Sequence, residues 1–310
     1  YFMEGRLLVR SDKNEFLLFA MLNSLGMIPD TNDSHSIRRK ATDRFQNYKG
    51  QGLKQEEFVH YSKPVGYVLT LNEAPDFSER QGLDLSPDME REVFYGKVVL
   101  SHLKHFYENT DFEKFYQEVL PRWQEECKFL QSVLDRAEVR TLLDKVWEIN
   151  QPVDMEVIPM YLQGRHSGIG PSISNTSFQI IGPPFDDSIV GLVAHEGSHP
   201  RAKRILEPIQ DKITGKAHLL NKALAHPNYP RDYNYWQTCF EEHFIRAMQA
   251  GYINPVLGIG NTERDLNREA NQKGMVYVRD FYDEIRKHKE NPKGTLADVA
   301  INILERLNKK

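Results

Sequence analysis

The stretch Ile189-Val-Gly-Leu-Val-Ala-His-Glu-Gly-Ser-His199 decides how the rest of the chain is interpreted. It contains the pattern H-E-x-x-H, preceded by small and apolar residues that favour a buried helix. Residues four apart on a helix share one face, so His195 and His199 are predicted to point the same way. Two imidazoles placed like this can bind one Zn²⁺. Glu196 is then predicted to act as general base toward a water at the metal.

The residues on either side of the motif indicate where its helix begins and ends. Asp186, Asp187 and Ser188 offer N-caps directly before the apolar run. Pro200 follows the second histidine. Proline lacks an amide hydrogen and clashes with the preceding turn, so the helix is predicted to end or kink at Pro200.

A third metal ligand must come from outside the motif, because a catalytic zinc ion usually has three protein ligands and one position for water. The extended pattern H-E-x-x-H-x-x-G-x-x-H would supply a third histidine. Ala202 and Ile205 stand where that pattern requires Gly and His, which excludes it. The remaining source is a glutamate on a later helix, and residues 235–250 (YWQTCFEEHFIRAMQA) form such a helix by pattern.

Three adjacent residues on that later helix, Glu241, Glu242 and His243, are candidates for the third ligand. Glu242 is preferred, because Arg246 follows it by four residues and can hold a carboxylate or orient the groups around it. Glu241 should project about 100° away from Glu242, since a helix has 3.6 residues per turn. His243 is the next alternative.

Composition limits the class of function. The chain has 310 residues, of which 40% are hydrophobic and 27% are charged, as in soluble globular proteins. Its net charge of −4 argues against a nucleic-acid partner. No apolar run approaches the roughly 20 residues of a membrane span. The two cysteines, Cys127 and Cys239, are too few for a disulfide scaffold or a four-cysteine zinc site.

The first residues, Tyr1-Phe2-Met3, indicate either that a signal peptide has been removed or that the chain has been trimmed. The sequence does not decide between the two. The expectation leans toward a secreted or cell-envelope protein, with a cytoplasmic one as the alternative.

Hydrophobic patterns outside the motif predict the fold. Helices are predicted over residues 15–25, 56–61, from Ser86 onward, and from Thr295, where Asp298 completes a capping box. Strands are predicted over residues 6–10, 155–162 and 176–181, the last two joined by a Gly- and Ser-rich loop. Residues 65–71 fit a strand or a buried segment.

These elements together predict an α+β fold that is zincin-like and mostly helical, with a small mixed sheet before the H-E-x-x-H helix. Residues 1–150 are expected to form a mostly helical region. Residues 151–310 are expected to hold the sheet, the motif helix and the C-terminal helices. The two regions are predicted either as separate parts or as one continuous domain.

The chain resembles gluzincin-type zinc metallopeptidases. More narrowly, it resembles a bacterial and archaeal family of uncharacterised predicted peptidases, filed as a domain of unknown function. The segments that carry the likeness are Asn14-Glu-Phe-Leu-Leu, Phe106-Tyr, Phe115-Tyr, His195-Glu-Gly-Ser-His199, Glu242-His-Phe-Ile-Arg-Ala247 and Lys273-Gly-Met-Val-Tyr277. The resemblance implies His195, His199 and Glu242 as zinc ligands and Glu196 as general base.

The expected function is that of a zinc-dependent hydrolase, a metallopeptidase acting on a peptide or protein substrate. Its developing oxyanion needs a donor besides the metal. Tyr277 is the first candidate for that donor, followed by Arg246 and His243.

Three other interpretations stay open. The protein could hydrolyse non-peptide amides or esters, or it could be a catalytically inactive zincin-like binding protein. It could also be a helical interaction domain in which the motif is accidental. That last interpretation predicts that His195, His199 and any later glutamate lie far apart.

Overall fold

The computed structural model describes residues 5–28, 34–50, 62–85, 87–231 and 233–309. The helix predicted over residues 56–61 and Ser86, the predicted start of another helix, lie outside these ranges. The helices are α1 (Lys13–Ser24), α2 (Ser36–Phe45), α3 (Ser62–Val68), α4 (Pro87–Gly96), α5 (Val99–Asn109), α6 (Phe112–Arg136), α7 (Val139–Val146), α8 (Ile189–Leu206), α9 (Gln210–Thr214), α10 (Leu220–Leu224), α11 (Trp236–Met248), α12 (Asn254–Leu257), α13 (Thr262–Asn267), α14 (Val278–Glu290) and α15 (Leu296–Leu307). Two π-helical turns, Gln249–Ile253 and Arg268–Gln272, follow α11 and α13.

The described strands are β1 (Leu7–Val9), β2 (Asp154–Pro159), β3 (Gly168–Ile169), β4 (Ser172–Ile173) and β5 (Thr176–Ile181). Strand β2 pairs in parallel with β1 on one side and with β5 on the other, with Val157 opposite Val9 and Gln179. Strands β3 and β4 pair antiparallel with β5. The predicted small mixed sheet is confirmed, and part of the predicted Gly- and Ser-rich loop forms β3 and β4.

The chain divides into two compact units, each assembled from separated stretches. The sheet unit comprises Gly5–Arg136 and Val153–Val193, and the helical unit comprises Ala137–Pro152 and Ala194–Lys310. The sequence-based expectation placed its division at residue 150, whereas the contacts divide the chain after residues 136, 152 and 193. Helix α8 begins in the sheet unit, and its histidine motif lies in the helical unit.

The core of the sheet unit is built around α1. All residues from Lys13 to Asn23 are buried, as the nearly continuous apolar run predicts. Asp12 begins the helix, because its side chain accepts a hydrogen bond from the Glu15 amide. Phe16 packs against aromatic rings of α6, its ring centroid 5.1 Å from that of Trp123. Residues 65–71 are buried as predicted, but residues 65–68 belong to α3 and do not form a strand.

Helix α11 is central to the helical unit and is buried on most sides. Phe240 packs against Phe281 of α14, with ring centroids 4.7 Å apart, and Phe244 packs against Trp147, 5.5 Å away. Burying a large apolar side chain contributes about 1.5–3 kcal/mol. These contacts stabilise α11 and help to offset the cost of burying Glu242 and most of Arg246 on the same helix.

Helix α8 continues through Pro200, so an end at that residue is wrong, whereas the alternative of a kink there stays a prediction. Proline removes one amide donor from the helix. Contacts of the next residue, Arg201, stabilise the turn that this loss weakens. Arg201 is fully buried and donates from Nη1 to the Gly197 carbonyl at 2.7 Å and from Nε to Asp144 at 2.8 Å. Ala202 is also buried, which favours continuation of the helix.

The predicted α+β class is confirmed, and helices dominate the described chain. The capping box of Thr295 and Asp298 starts α15 as predicted. Among the described helices, none is both long and apolar enough to cross a membrane.

Candidate metal centre

His195 and His199 lie one turn apart on α8, as their spacing predicts. Their ring centroids are 5.2 Å apart, and the rings are nearly perpendicular at 85°. Both side chains are mostly buried, with 13% and 26% of their surface exposed. The two imidazoles therefore face a shared space that solvent reaches only in part.

Glu242 reaches this space from α11. Its Oε2 lies 3.8 Å from His195 Nε2, and its Oε1 lies 3.6 Å from His199 Nε2. One ligand atom from each of the three residues lies within 4.8 Å of the others. Among the described residues, this is the group of His, Cys, Asp or Glu side chains that could hold a metal ion.

The donor set and its spacing fit zinc. Two histidines and one glutamate are a known ligand set of catalytic zinc, and ligands about 2.1 Å from a tetrahedral zinc ion lie about 3.4 Å from one another. The separations of 3.6 and 3.8 Å from Glu242 are within a few tenths of an ångström of that value. Small side-chain rotations would bring the three donors to bonding distance.

The outer nitrogens of both histidines are held by side chains of the segment that carries Glu242. His199 Nδ1 donates to Glu241 Oε1 at 2.8 Å, and His195 Nδ1 donates to Gln249 Oε1 at 3.1 Å. A carboxylate can only accept, and the amide oxygen of Gln249 also accepts, so both Nδ1 atoms carry the proton. In the neutral form of each ring, Nε2 presents its lone pair to the shared space, as metal ligation requires, and a bound metal would displace any proton there.

Glu242 is held by Arg246, which follows it by one helical turn. Arg246 Nε donates to Glu242 Oε2 at 3.1 Å, and its Nη1 donates to Glu269 at 2.9 Å. The third contact is from Nη2 to the Tyr233 hydroxyl, which accepts at 3.2 Å. The i, i+4 contact predicted between Glu242 and Arg246 is present, and the catalytic role predicted for Arg246 stays a prediction.

His195, His199 and Glu242 form the cluster of candidate ligands, and the charges around this cluster keep Glu242 ionised. Burial raises the pKa of Glu242, but the charges of His195, His199 and Arg246 outweigh it and lower the pKa to about 2. Burial lowers the pKa of His195 to about 4. It also lowers the pKa of His199, but the hydrogen bond to Glu241 and the charge of Glu242 outweigh it and raise the pKa to about 9. An ionised carboxylate is the form that ligates a metal.

Glu196 is buried beside the cluster, with 9% of its surface exposed. Burial raises the pKa of Glu196, the charge of Glu242 adds to this, and the charges of His199 and Arg246 oppose it. A carboxylate whose pKa is raised is a stronger base than an ordinary carboxylate. This arrangement suits a general base.

Tyr277 and His243 are not brought into the cluster. The Tyr277 hydroxyl donates to the Leu219 carbonyl at 2.8 Å, and within the described residues no contact joins it to the three candidate ligands. His243 Nδ1 donates to the Cys239 carbonyl at 2.7 Å. The His243 ring packs 5.5 Å from that of Tyr277 in the core. The catalytic role of Tyr277 stays a prediction that no described contact supports.

Three residues around the cluster were not found from the sequence: Tyr233, Gln249 and Glu269. Gln249 lies seven residues after Glu242, so a search for polar residues along that helical face could have found it. Tyr233 precedes α11, and Glu269 lies in the second π turn. No periodicity in the sequence connects these two residues to the motif.

The fold and the cluster define an α+β protein with a potential two-histidine, one-glutamate metal centre. Comparison of the chain with protein-family models, with curated proteins and with solved structures found no match. The resemblance to gluzincin-type peptidases therefore stays a prediction.

Proposed function

We propose that this protein is a zinc-dependent hydrolase with a zincin-like catalytic region, and that its substrate is a peptide or protein. The observation that carries the proposal is the convergence of His195, His199 and Glu242 to within 4.8 Å, with Glu196 buried next to them. An accidental motif predicts that the two histidines and a later glutamate lie far apart, and they do not.

Three protein ligands favour catalysis over a purely structural role. Structural zinc sites are usually closed by four protein ligands, whereas catalytic sites keep one position for water or substrate. Glu241, the nearest further carboxylate on α11, is bonded to the outer nitrogen of His199 and faces away from the shared space. The site therefore offers three donors from the protein.

The residues of the cluster divide the chemistry among them. A zinc ion bound there would polarise a substrate carbonyl and lower the pKa of a water molecule toward neutrality. The Glu196 carboxylate accepts the proton of the attacking water and returns it to the leaving amine. We assign the donor for the developing oxyanion to the Tyr233 hydroxyl, which is half-buried beside Glu242.

The test measures metal and activity separately. Purified wild-type protein is expected to hold one zinc per chain by mass spectrometry of the metal and to cleave members of a mixed peptide library. Glu196→Gln should keep the zinc and lose hydrolysis by about 10²–10⁴-fold, because the base is removed while the ligands remain. Glu207→Gln, an exposed change near the end of the same helix, is the matched control and should change neither.

The outcomes separate the competing functions. Wild-type protein without stoichiometric zinc contradicts the metal assignment. Full activity in Glu196→Gln contradicts the base assignment. Cleavage of small amides or esters but of no peptide identifies the substrate as non-peptide, and bound zinc without hydrolysis of any of these identifies a binding protein.

A further inference from the structure

Two π-helical turns in the helical unit each contribute one side chain that contacts the residues of the candidate metal centre or their partners. The first, Gln249–Ile253, extends α11. The second, Arg268–Gln272, extends α13. π turns are rare and occur frequently at functional sites. Gln249 contacts His195, and Glu269 contacts Arg246, which in turn contacts Glu242.

The first π turn reaches the cluster because α8 and α11 run in opposite directions along it. His199 contacts Glu241, near the middle of α11, whereas His195 contacts Gln249, beyond its end. Residues seven apart on a helix lie almost on the same face. Gln249 therefore shares the face of Glu242 and reaches the histidine that lies one turn earlier on α8.

The second π turn supplies a buried carboxylate whose charge is balanced by three cations. The Glu269 side chain is 6% exposed and lies 2.9 Å from Arg246, 3.0 Å from Lys273 and 3.4 Å from Arg268. Burying an ion costs several kcal/mol unless it is well paired. This pairing secures Glu269 in one place, and Glu269 then secures the guanidinium of Arg246.

Arg246 transmits that position to Glu242. Its guanidinium is planar, so a contact at Nη1 with Glu269 also sets the direction in which Nε donates to Glu242. Without Glu269, the guanidinium could rotate and engage Glu242 more fully, which would draw its carboxylate away from the histidines.

We propose that the two π turns preorganise the metal centre, Gln249 by positioning His195 and Glu269 by positioning Glu242 through Arg246. The inference rests on the proposed function, since it requires that the cluster bind a metal. Gln249 and Glu269 are positioning residues. Partners that orient metal ligands typically change metal affinity 10–100-fold when removed.

The test measures metal binding without reference to substrate. Zinc dissociation constants are obtained by competition with a chelating dye, and the visible absorption spectrum of the Co²⁺-loaded protein reports the ligand geometry. Gln249→Met, which removes the acceptor, and Glu269→Gln, which removes the charge, should each bind zinc 10–100-fold more weakly and alter the Co²⁺ spectrum. Gln249→Glu keeps an acceptor at the same place, now ionised, and should bind zinc at least as tightly as wild type.

The control is Glu263→Gln on α13, whose side chain is 68% exposed and is paired with Arg279. It should leave zinc affinity and the Co²⁺ spectrum unchanged. Wild-type zinc affinity in both Gln249→Met and Glu269→Gln overturns the inference and leaves the proposed function standing. Absence of metal binding by the wild type overturns the proposed function, and the inference with it.

Gln249→Met and Glu269→Gln are judged separately, because a substitution of a buried residue can prevent folding. Circular dichroism of the metal-free proteins checks that each variant is folded. Gln249 is half-buried and tolerates substitution better than Glu269. If Glu269→Gln does not fold, the comparison of Gln249→Met with Gln249→Glu decides the outcome.

Discussion

The carboxylate of Glu241 accepts a hydrogen bond from His199 Nδ1 at 2.8 Å, on the opposite edge of the imidazole from Glu242. Two adjacent glutamates of α11 thus hold the two edges of one ring. Neighbouring helical residues do diverge by about 100°. Because the two ring nitrogens of His199 lie on opposite edges, Glu241 can orient the ring while Glu242 stays available as the proposed metal ligand.

Glu241→Gln is expected to weaken zinc binding about 10–100-fold, because an ionised acceptor on the outer nitrogen of a ligand histidine orients the ring and raises its basicity. The measurement is a zinc dissociation constant by competition with a chelator. Glu207→Gln provides the exposed glutamate control. An unchanged constant in Glu241→Gln would show that the charge of this acceptor does not strengthen zinc binding by His199.

Tyr233→Phe and Tyr277→Phe form a matched pair that locates the oxyanion donor. Tyr233→Phe should reduce hydrolysis about 10²–10³-fold, since it removes one donor from the cluster. Tyr277→Phe loses only the hydrogen bond to Leu219 and should cost about 1 kcal/mol of stability with turnover unchanged. Peptide cleavage and urea unfolding give the two readouts. The reverse pattern would assign the donor to Tyr277.

Asp144→Asn is expected to lower the free energy of unfolding by about 3 kcal/mol, because it leaves the fully buried Arg201 without its charged partner. The pair joins α7 to α8 just beyond the histidine motif. Urea unfolding of the metal-free protein measures the change. Asp211→Asn is an exposed control and should stay within about 0.5 kcal/mol. A similarly small effect in Asp144→Asn would mean that the pair contributes little.

Glu15→Gln is expected to stabilise the protein increasingly as the pH rises. Glu15 is fully buried, and within the described residues neither carboxyl oxygen has a hydrogen-bond partner. Burial raises the pKa of Glu15 well above its ordinary value of 4.5, and the charge of Asp12 adds to this while that of Arg10 opposes it.

The direction of this pH dependence follows from the number of protons bound by the folded and the unfolded protein. Above pH 4.5 the unfolded chain loses the Glu15 proton while the folded protein keeps it, so stability falls as the pH rises. The slope is about 1.4 kcal/mol per pH unit wherever the two states differ by one proton. Urea unfolding of wild type and variant between pH 4 and pH 8 should show the difference growing from near zero. A difference that does not change with pH would contradict the prediction.

The sequence predicted helices and strands correctly where neighbouring residues alone determine them. The apolar run of α1, the capping box of Thr295 and Asp298, and the short runs of β-forming residues in β2 and β5 each depend on residues a few positions apart. The end of α8 predicted at Pro200 is wrong, because the side chain of Arg201 stabilises the turn that proline weakens. Arg201 is paired with Asp144 of another helix.

The sequence by itself determined that His195 and His199 share one face of a helix, with Glu196 beside them, because an i, i+4 relationship is a property of the helix alone. Only the tertiary structure decided that Glu242 completes the group while Glu241, Gln249, Arg246 and Glu269 surround it. Which side chains meet between two helices depends on how the helices pack. For α11 that packing is set by Trp147 and Phe281, residues remote in sequence from the motif.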